Sequence, residues 1–271
     1  MASITCKFGG TSTATSNMFR QIGRILDENP ARRYIVLSAP GGEEKVTDMI
    51  YRYCAARREG KRGDALLYAV AARYQAIGDE LGVPGMGTLA RDEIQRGAEI
   101  SDTHAASRGE YLCAKLFARW RGIPFIDAAQ LVSFDAAGVL MVPETLRRFR
   151  ALAHCLVRAV IPGFYGSGPD GHIVTFPRNG SDITGALCAA GTGADLYENW
   201  SDVPGLMTAD PNLDPEATVI PEISYAAMHR LSENGARVLH PDSLEPLARA
   251  GIPTRLKCTM TPKDPGTLVT G

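Results

Sequence analysis

The sequence predicts an α/β fold with helices on both faces of a mostly parallel sheet. Three observations lead there. Short apolar strand patterns alternate with stretches at helical spacing along most of the 271 residues, the signature of parallel strands joined by helical crossovers. The run Tyr34, Ile35, Val36, Leu37 is continuously apolar, as expected of a strand buried on both faces. Several strands also run directly into glycine-rich turns, at the strand ends where ligands collect in such sheets.

The elements follow in order. Residues 4–8 read as a strand entering Gly9 and Gly10. A helix then carries Met18, Phe19, Ile22, Ile25 and Leu26 on one face until Pro30 stops it. The strand at 34–37 ends in the loop 38–42, and Val46, Met49, Ile50 and Tyr53 mark a second helix. Residues 64–100 read as helical with breaks at Gly78, Gly82, Pro84 and Gly87. Glu110, Leu112, Leu116, Phe117 and Trp120 share a clearer helix, and 124–127 reads as a strand. A helix near 143–157 leads to a strand at 159–165, with 172–176 as the return arm of a hairpin. A helix at 181–190 and strands at 196–200 and 252–257 complete the pattern.

A chain of this length can bury about three quarters of its extended surface, as one α/β domain or two tightly joined lobes. Apolar residues make up 45% and charged residues 22%, and the net charge is −1. Bulk nucleic-acid binding needs a concentrated positive surface, so no nucleic-acid partner is expected. No apolar run approaches the roughly 20 residues that span a bilayer, and residues 1–7 are too short and polar for a signal peptide. The expected location is the cytoplasm. The six cysteines are scattered without a C-x-x-C pair, so reduced core thiols are expected and no metal-ligating residue is singled out.

Four segments are candidates for chemistry. In 7–12 (KFGGTS) two glycines let the backbone approach a phosphate, exposed N–H groups near a helix start can bind anions, and Lys7 can add a point charge. The segment lacks the Walker spacing, and a tight turn beside an exposed lysine is the alternative. In 176–182, Arg178 can grip a carboxylate in two places, while Ser181 or Asp182 can cap the next helix. Segments 201–205 and 208–212 read as two turns rich in Asp, Pro and Gly, which favour turns for their own reasons. In 234–241, Gly235 implies a helix break, and His240 before Pro241 reads as structural.

In order, KFGGTS at 7–12, LSAPGG at 37–42, KVTDMI at 45–50, RGEYLCAKL at 108–116, GFYGSGPDG at 163–171, RNGSDITGAL at 178–187, WSDVPGLMTADPN at 200–212, GARVLHP at 235–241 and PGTLV at 265–269 resemble the aspartate kinases of the amino-acid kinase family. The likeness runs over nearly the whole chain. It implies an αβα sandwich around a mostly parallel sheet, with an amino-acid-binding lobe over about 1–194 and a nucleotide-binding lobe over about 195–271. It also implies transfer of the γ-phosphoryl group of ATP, with Mg²⁺, to the side-chain carboxylate of L-aspartate, giving 4-phospho-L-aspartate. By position, Lys7 and Asp182 fall at catalytic places. Gly9, Gly10 and Thr11 line the phosphate path. Ser38 and Thr47 fall near the acceptor, Glu110 pairs with the substrate amino group with Asp182 beside it, and Arg178 clamps a substrate carboxylate. Ser201, Asp202, Met207, Asn212 and Arg237 fall at nucleotide-contacting places.

The chemistry is consistent with those roles. Phosphoryl transfer needs positioning and positive charge more than covalent help, and a carboxylate is already nucleophilic at neutral pH. The sequence also departs from the family pattern. Pro177, Arg178, Asn179 and Gly180 stand where Gly-Arg-Gly-Gly is usual, Arg237 replaces a usual lysine, and Met207 and Asn212 stand where an aromatic and an arginine are common. Aspartate kinases usually continue into two ACT regulatory domains, whereas this sequence stops near residue 271. A catalytic unit without lysine or threonine feedback is expected, as a homodimer or with a separate regulatory subunit. The alternatives are a kinase of the same fold acting on another amino or carboxylic acid in a dedicated pathway, and a non-catalytic nucleotide- or amino-acid-binding sensor.

Overall fold

The computed structural model describes residues 2–177, 179–209, 214, 216–233, 239 and 241–271. In chain order the elements are β1 (Ile4–Phe8), a 3-10 turn (Thr11–Thr13), α1 (Ser16–Glu28), β2 (Arg32–Leu37), α2 (Val46–Arg58), α3 (Asp64–Glu80), α4 (Met86–Ile100) and α5 (Asp102–Arg121). A second 3-10 turn (Ala128–Gln130), α6 (Val142–Cys155), β3 (Ala159–Pro162), β4 (Tyr165–Ser167), β5 (Ile173–Thr175), α7 (Gly180–Thr192) and β6 (Leu196–Ser201) follow. The described elements end with β7 (Glu222–Ser224), α8 (Tyr225–Glu233), α9 (Pro241–Ala250), β8 (Thr254–Cys258) and β9 (Thr267–Thr270).

The main sheet has the order β3-β2-β1-β6-β8-β9-β7. Every neighbouring pair is parallel except β8 and β9. Helices cover both faces. On one, Cys6, Phe8, Ile35, Leu37 and Trp200 pack with the apolar stripe of α1 and with α2 to α5. On the other, Tyr34, Val36, Ala159 and Ile161 pack with α6 and α7, and Tyr197 and Leu256 pack with α7, α8 and α9. The alternation of Tyr34 and Val36 against Ile35 and Leu37 between the two cores explains the unbroken apolar run in β2. The stripe read from α1 is also present, since Phe19, Ile22, Ile25 and Leu26 are all buried.

Some expectations need correction. Residues 124–127 form only an isolated bridge, Phe125 to Val160. Asp127 ends it, because its carboxylate accepts from the Ala129 N–H at 3.0 Å and starts the second 3-10 turn. The strand expected at 159–165 divides between two sheets, because Phe164 takes a φ of 81° and turns the chain into the β4–β5 hairpin, whose return arm falls where the sequence placed it. Gly78 and Gly87 do not break helices. They lie inside α3 and α4, where a Cβ at Gly78 would come within 2.6 Å of the Val83 carbonyl and one at Gly87 within 2.8 Å of Gln75 Oε1. Close helix approach is their role. The strands β7 and β9 lie outside the sequence reading. They are three and four residues long, too short to show a period.

Candidate active site

The site begins with topology. β1 is hydrogen-bonded to β2 on one side and β6 on the other, so connections leave it in opposite directions. The crevice beyond the carboxyl ends of β1 and β6 is therefore the switch point where ligands enter open α/β sheets. Lys7 sits there, one residue before the end of β1, and pairs across the ladder with Asn199 of β6.

Helix α7 crosses over this pair. Gly185 permits the approach, since a Cβ there would stand 2.5 Å from the Tyr197 hydroxyl and 3.1 Å from Lys7 Cβ. The first turn of α7 delivers Asp182, whose Oδ1 lies 2.7 Å from Lys7 Nζ and accepts from Asn199 Nδ2 at 2.8 Å. All three side chains are buried. Asp182 thus does not cap the helix, and neither does Ser181. The N-cap is Asn179, without a side-chain cap bond and with φ at 60°. Asparagine is among the few residues that accept this left-handed conformation, so the position where glycine is usual keeps a glycine-like backbone here.

The double-glycine turn lies beside the ammonium. A Cβ at Gly9 would be 3.5 Å from Lys7 Nζ. Gly10 touches the loop after β2, where the Gly41 N–H donates to the Gly10 carbonyl at 2.8 Å. A Cβ at Gly41 would meet Gly10 C at 2.8 Å, so the contact requires glycine. Thr13 Oγ1 ties the two loops, lying 3.0 to 3.3 Å from the carbonyl oxygens of Gly9, Gly10, Ser38 and Ala39. Ser38 is fixed by its N–H to the Phe8 carbonyl at 3.1 Å. Thr11 is exposed at the start of the 3-10 turn.

Glu110 stands behind the same loop, on α5. Thr47 Oγ1 donates to its Oε1 at 3.4 Å, while its Oε2 is buried with no hydrogen-bond partner. Burial pushes the carboxyl up to about 8, against the opposing pull of the Glu110 and Ala39 backbone N–H groups and then of the Thr47 hydroxyl and the Lys45 charge. A buried polar atom without a partner costs free energy unless something else supplies one.

Of the other expected residues, Ser201, Asp202 and Met207 are described, at or after the end of β6. Ser201 ends β6, and its Oγ accepts from the Val203 N–H at 3.3 Å. Asp202 is exposed, and Met207 bridges to Val219. Arg178, Asn212 and Arg237 lie outside the described residues. The structure therefore joins Lys7 to Asp182 directly, and the loop after β2, which carries Ser38, together with Thr47 in the first turn of α2 links the glycine turn to Glu110. Asn199 and Thr13 escaped the sequence reading. Asn199 carried a signal, since it is a polar residue inside a strand buried on both faces, where a polar side chain needs a partner. Thr13 carried none, because a threonine near a helix start reads as a cap.

Among the described residues no group of three or more His, Cys, Asp or Glu could hold a metal ion, and no helix is long and apolar enough to cross a membrane.

A buried lysine at a double-glycine turn on the switch point of a doubly wound sheet defines an α/β protein whose candidate ligand crevice lies at that point. The chain belongs to the amino acid kinase family, which matches residues 4–258. It is 33% identical over 284 residues to aspartokinase 3 of Bacillus subtilis, covering 97% of this chain and 62% of that one. The structure superposes on that of Clostridium acetobutylicum aspartate kinase with a TM-score of 0.92 at 37% identity, covering 100% of this chain and 63% of the other. On Escherichia coli aspartokinase III in complex with aspartate and ADP the TM-score is 0.86 at 27% identity, covering 99% and 64%. The chain thus spans under two thirds of the length of these relatives.

Proposed function

We propose that this chain carries the phosphotransfer site of an aspartate kinase, which moves the γ-phosphoryl group of ATP onto the side-chain carboxylate of L-aspartate. One observation carries the reading. A cation suited to phosphate, Lys7, and a buried carboxylate oxygen without a partner, Glu110 Oε2, lie beside the same pair of loops, joined at Gly10 and Gly41. The first suits a nucleotide γ-phosphate and the second suits the ammonium of an amino acid. The names of the similar proteins from B. subtilis, C. acetobutylicum and E. coli support the same reading.

In this reading the segment before about residue 195 binds the amino acid and the segment after it binds the nucleotide. The aspartate side-chain oxygen attacks the γ-phosphorus, the bond to the β,γ-bridging oxygen breaks, and its electrons leave with ADP. Lys7 neutralises phosphoryl charge, with Asp182 fixing its position. Gly9, Gly10 and Thr11 line the phosphate path. Ser38 and Thr47 face the acceptor, Glu110 takes its ammonium, and Arg178 clamps its carboxylate. Ser201, Asp202, Met207, Asn212 and Arg237 serve the nucleotide. Mg²⁺ is commonly bound through substrate phosphates, and when bound with the nucleotide it would supply charge neutralisation at the transferring group.

The test is ATP turnover with a panel of amino and carboxylic acids, trapping acyl phosphate with hydroxylamine. Aspartyl hydroxamate formed with aspartate supports the reading. Hydroxamate with another acid alone, or ATP binding without turnover, refutes it.

A further inference from the structure

Resting on that reading, we propose that Asn199 is a positioning residue that frees Lys7 to follow the phosphoryl group. The geometry is specific. Asp182 Oδ1 receives both Lys7 Nζ at 2.7 Å and Asn199 Nδ2 at 2.8 Å, so the ammonium and the amide share one oxygen. Asn199 is 4% exposed and faces Lys7 across the β1–β6 ladder. Its amide also lies 3.4 Å from the Tyr197 hydroxyl oxygen. These contacts set the orientation of the amide, with its nitrogen towards Asp182.

An ammonium has three protons. Asp182 takes one of them, and among the described residues no other hydrogen-bond acceptor is recorded for Lys7. To stabilise a phosphoryl group in transfer, the ammonium must turn its remaining protons towards it and loosen its hold on Asp182. A buried carboxylate deserted by its cation is heavily destabilised. With Asp182 held by Lys7 alone, that penalty would pull the lysine back towards the carboxylate and away from the phosphate. A second donor on the same oxygen removes much of the penalty. The donor must be neutral, because a cation would compete for the phosphate and an anion would repel Asp182. An amide meets that requirement. The effect belongs to the transition state, so it appears in kcat and not in substrate affinity.

The groups facing Asp182 are Lys7 from β1 and Asn199 and Tyr197 from β6; the Tyr197 phenol is driven well above its ordinary range by burial first and by Asp182 second. In N199D a second carboxylate meets Asp182. Two carboxylates at such a distance share one proton. While that proton is present, the new acid can donate to Asp182 much as the amide does. When it leaves, Lys7 is drawn to two negative charges.

The experiment compares wild type, N199L and N199D in the hydroxamate assay across pH, with melting temperature and ADP binding measured alongside. N199L is expected to lose about tenfold or more in kcat, while both KM values stay within about twofold. N199D is expected to work best at low pH and to lose kcat as pH rises, a limb that wild type lacks. Unchanged kcat in N199L, or loss confined to KM, overturns the proposal. If N199L does not fold, an N199D profile parallel to wild type overturns it. Absence of any hydroxamate from wild type would instead refute the aspartate kinase reading on which the role rests.

Discussion

Glu110 makes a quantitative prediction about substrate binding. Its carboxyl is 5% exposed, one oxygen has no partner, and burial raises its pKa from 4.5 to about 8. At pH 7 about nine tenths of free molecules therefore hold the proton on Glu110. An aspartate ammonium arriving at this oxygen favours the ionised form, so binding should expel about 0.9 proton at pH 7 and about 0.1 at pH 9. Calorimetry in buffers of different ionisation enthalpy reads this number as a slope. E110Q should bind more weakly and show a slope near zero at both pH values. The same shift bears on stability. The folded state retains the proton that the unfolded state loses, so stability falls as pH rises from about 4.5 to 8, by on the order of 5 kcal/mol over that window. E110Q should remove that slope in urea titrations. A wild-type release below 0.2 proton at pH 7, or equal release from E110Q, would show that the ammonium does not dock on Glu110.

Three further outcomes follow from particular contacts. Lys7→Ala should lower kcat by about a hundredfold or more with a small change in the KM for ATP, because its contact strengthens as charge moves; steady-state hydroxamate kinetics reads this, and a pure KM effect contradicts it. Arg178→Ala should raise the KM for the acceptor about tenfold or more and leave that for ATP nearly unchanged; equal changes in both would remove the clamp assignment. Arg32→Ala should destabilise the fold by about 3–5 kcal/mol in urea, because it strips Glu198 of bonds from Arg32 Nε at 2.7 Å and Nη2 at 3.0 Å on the sheet face opposite Lys7; a loss below about 1 kcal/mol would show that Trp200 Nε1, 3.0 Å away, suffices.

The alternating pattern was legible because periodicity and glycine placement act locally. The stripe of α1, the doubly buried strand β2 and the glycines closing β1 need only neighbouring residues to be recognised, and Lys7 was conspicuous for its place before Gly9 and Gly10. Asp182 was half legible. Its position at a helix start supports a cap, and only the crossing of α7 over β1 turns its carboxylate to Lys7. The helix breaks expected at Gly78 and Gly87 failed for a related reason, since local propensity disfavours glycine within a helix while tight helix packing favours it.

The sequence by itself determined an α/β chain with a double-glycine turn after its first strand, because those properties rest on short-range sterics and side-chain period. Only the tertiary structure decided which charges meet. Lys7, Asp182 and Asn199 lie far apart in the chain, and one Asp182 oxygen takes both partners because parallel pairing sets β6 against β1 and Gly185 lets α7 come close. The partnerless oxygen of Glu110 was likewise invisible in sequence, since burial and missing partners arise from the packing of α5 against the β2 loop.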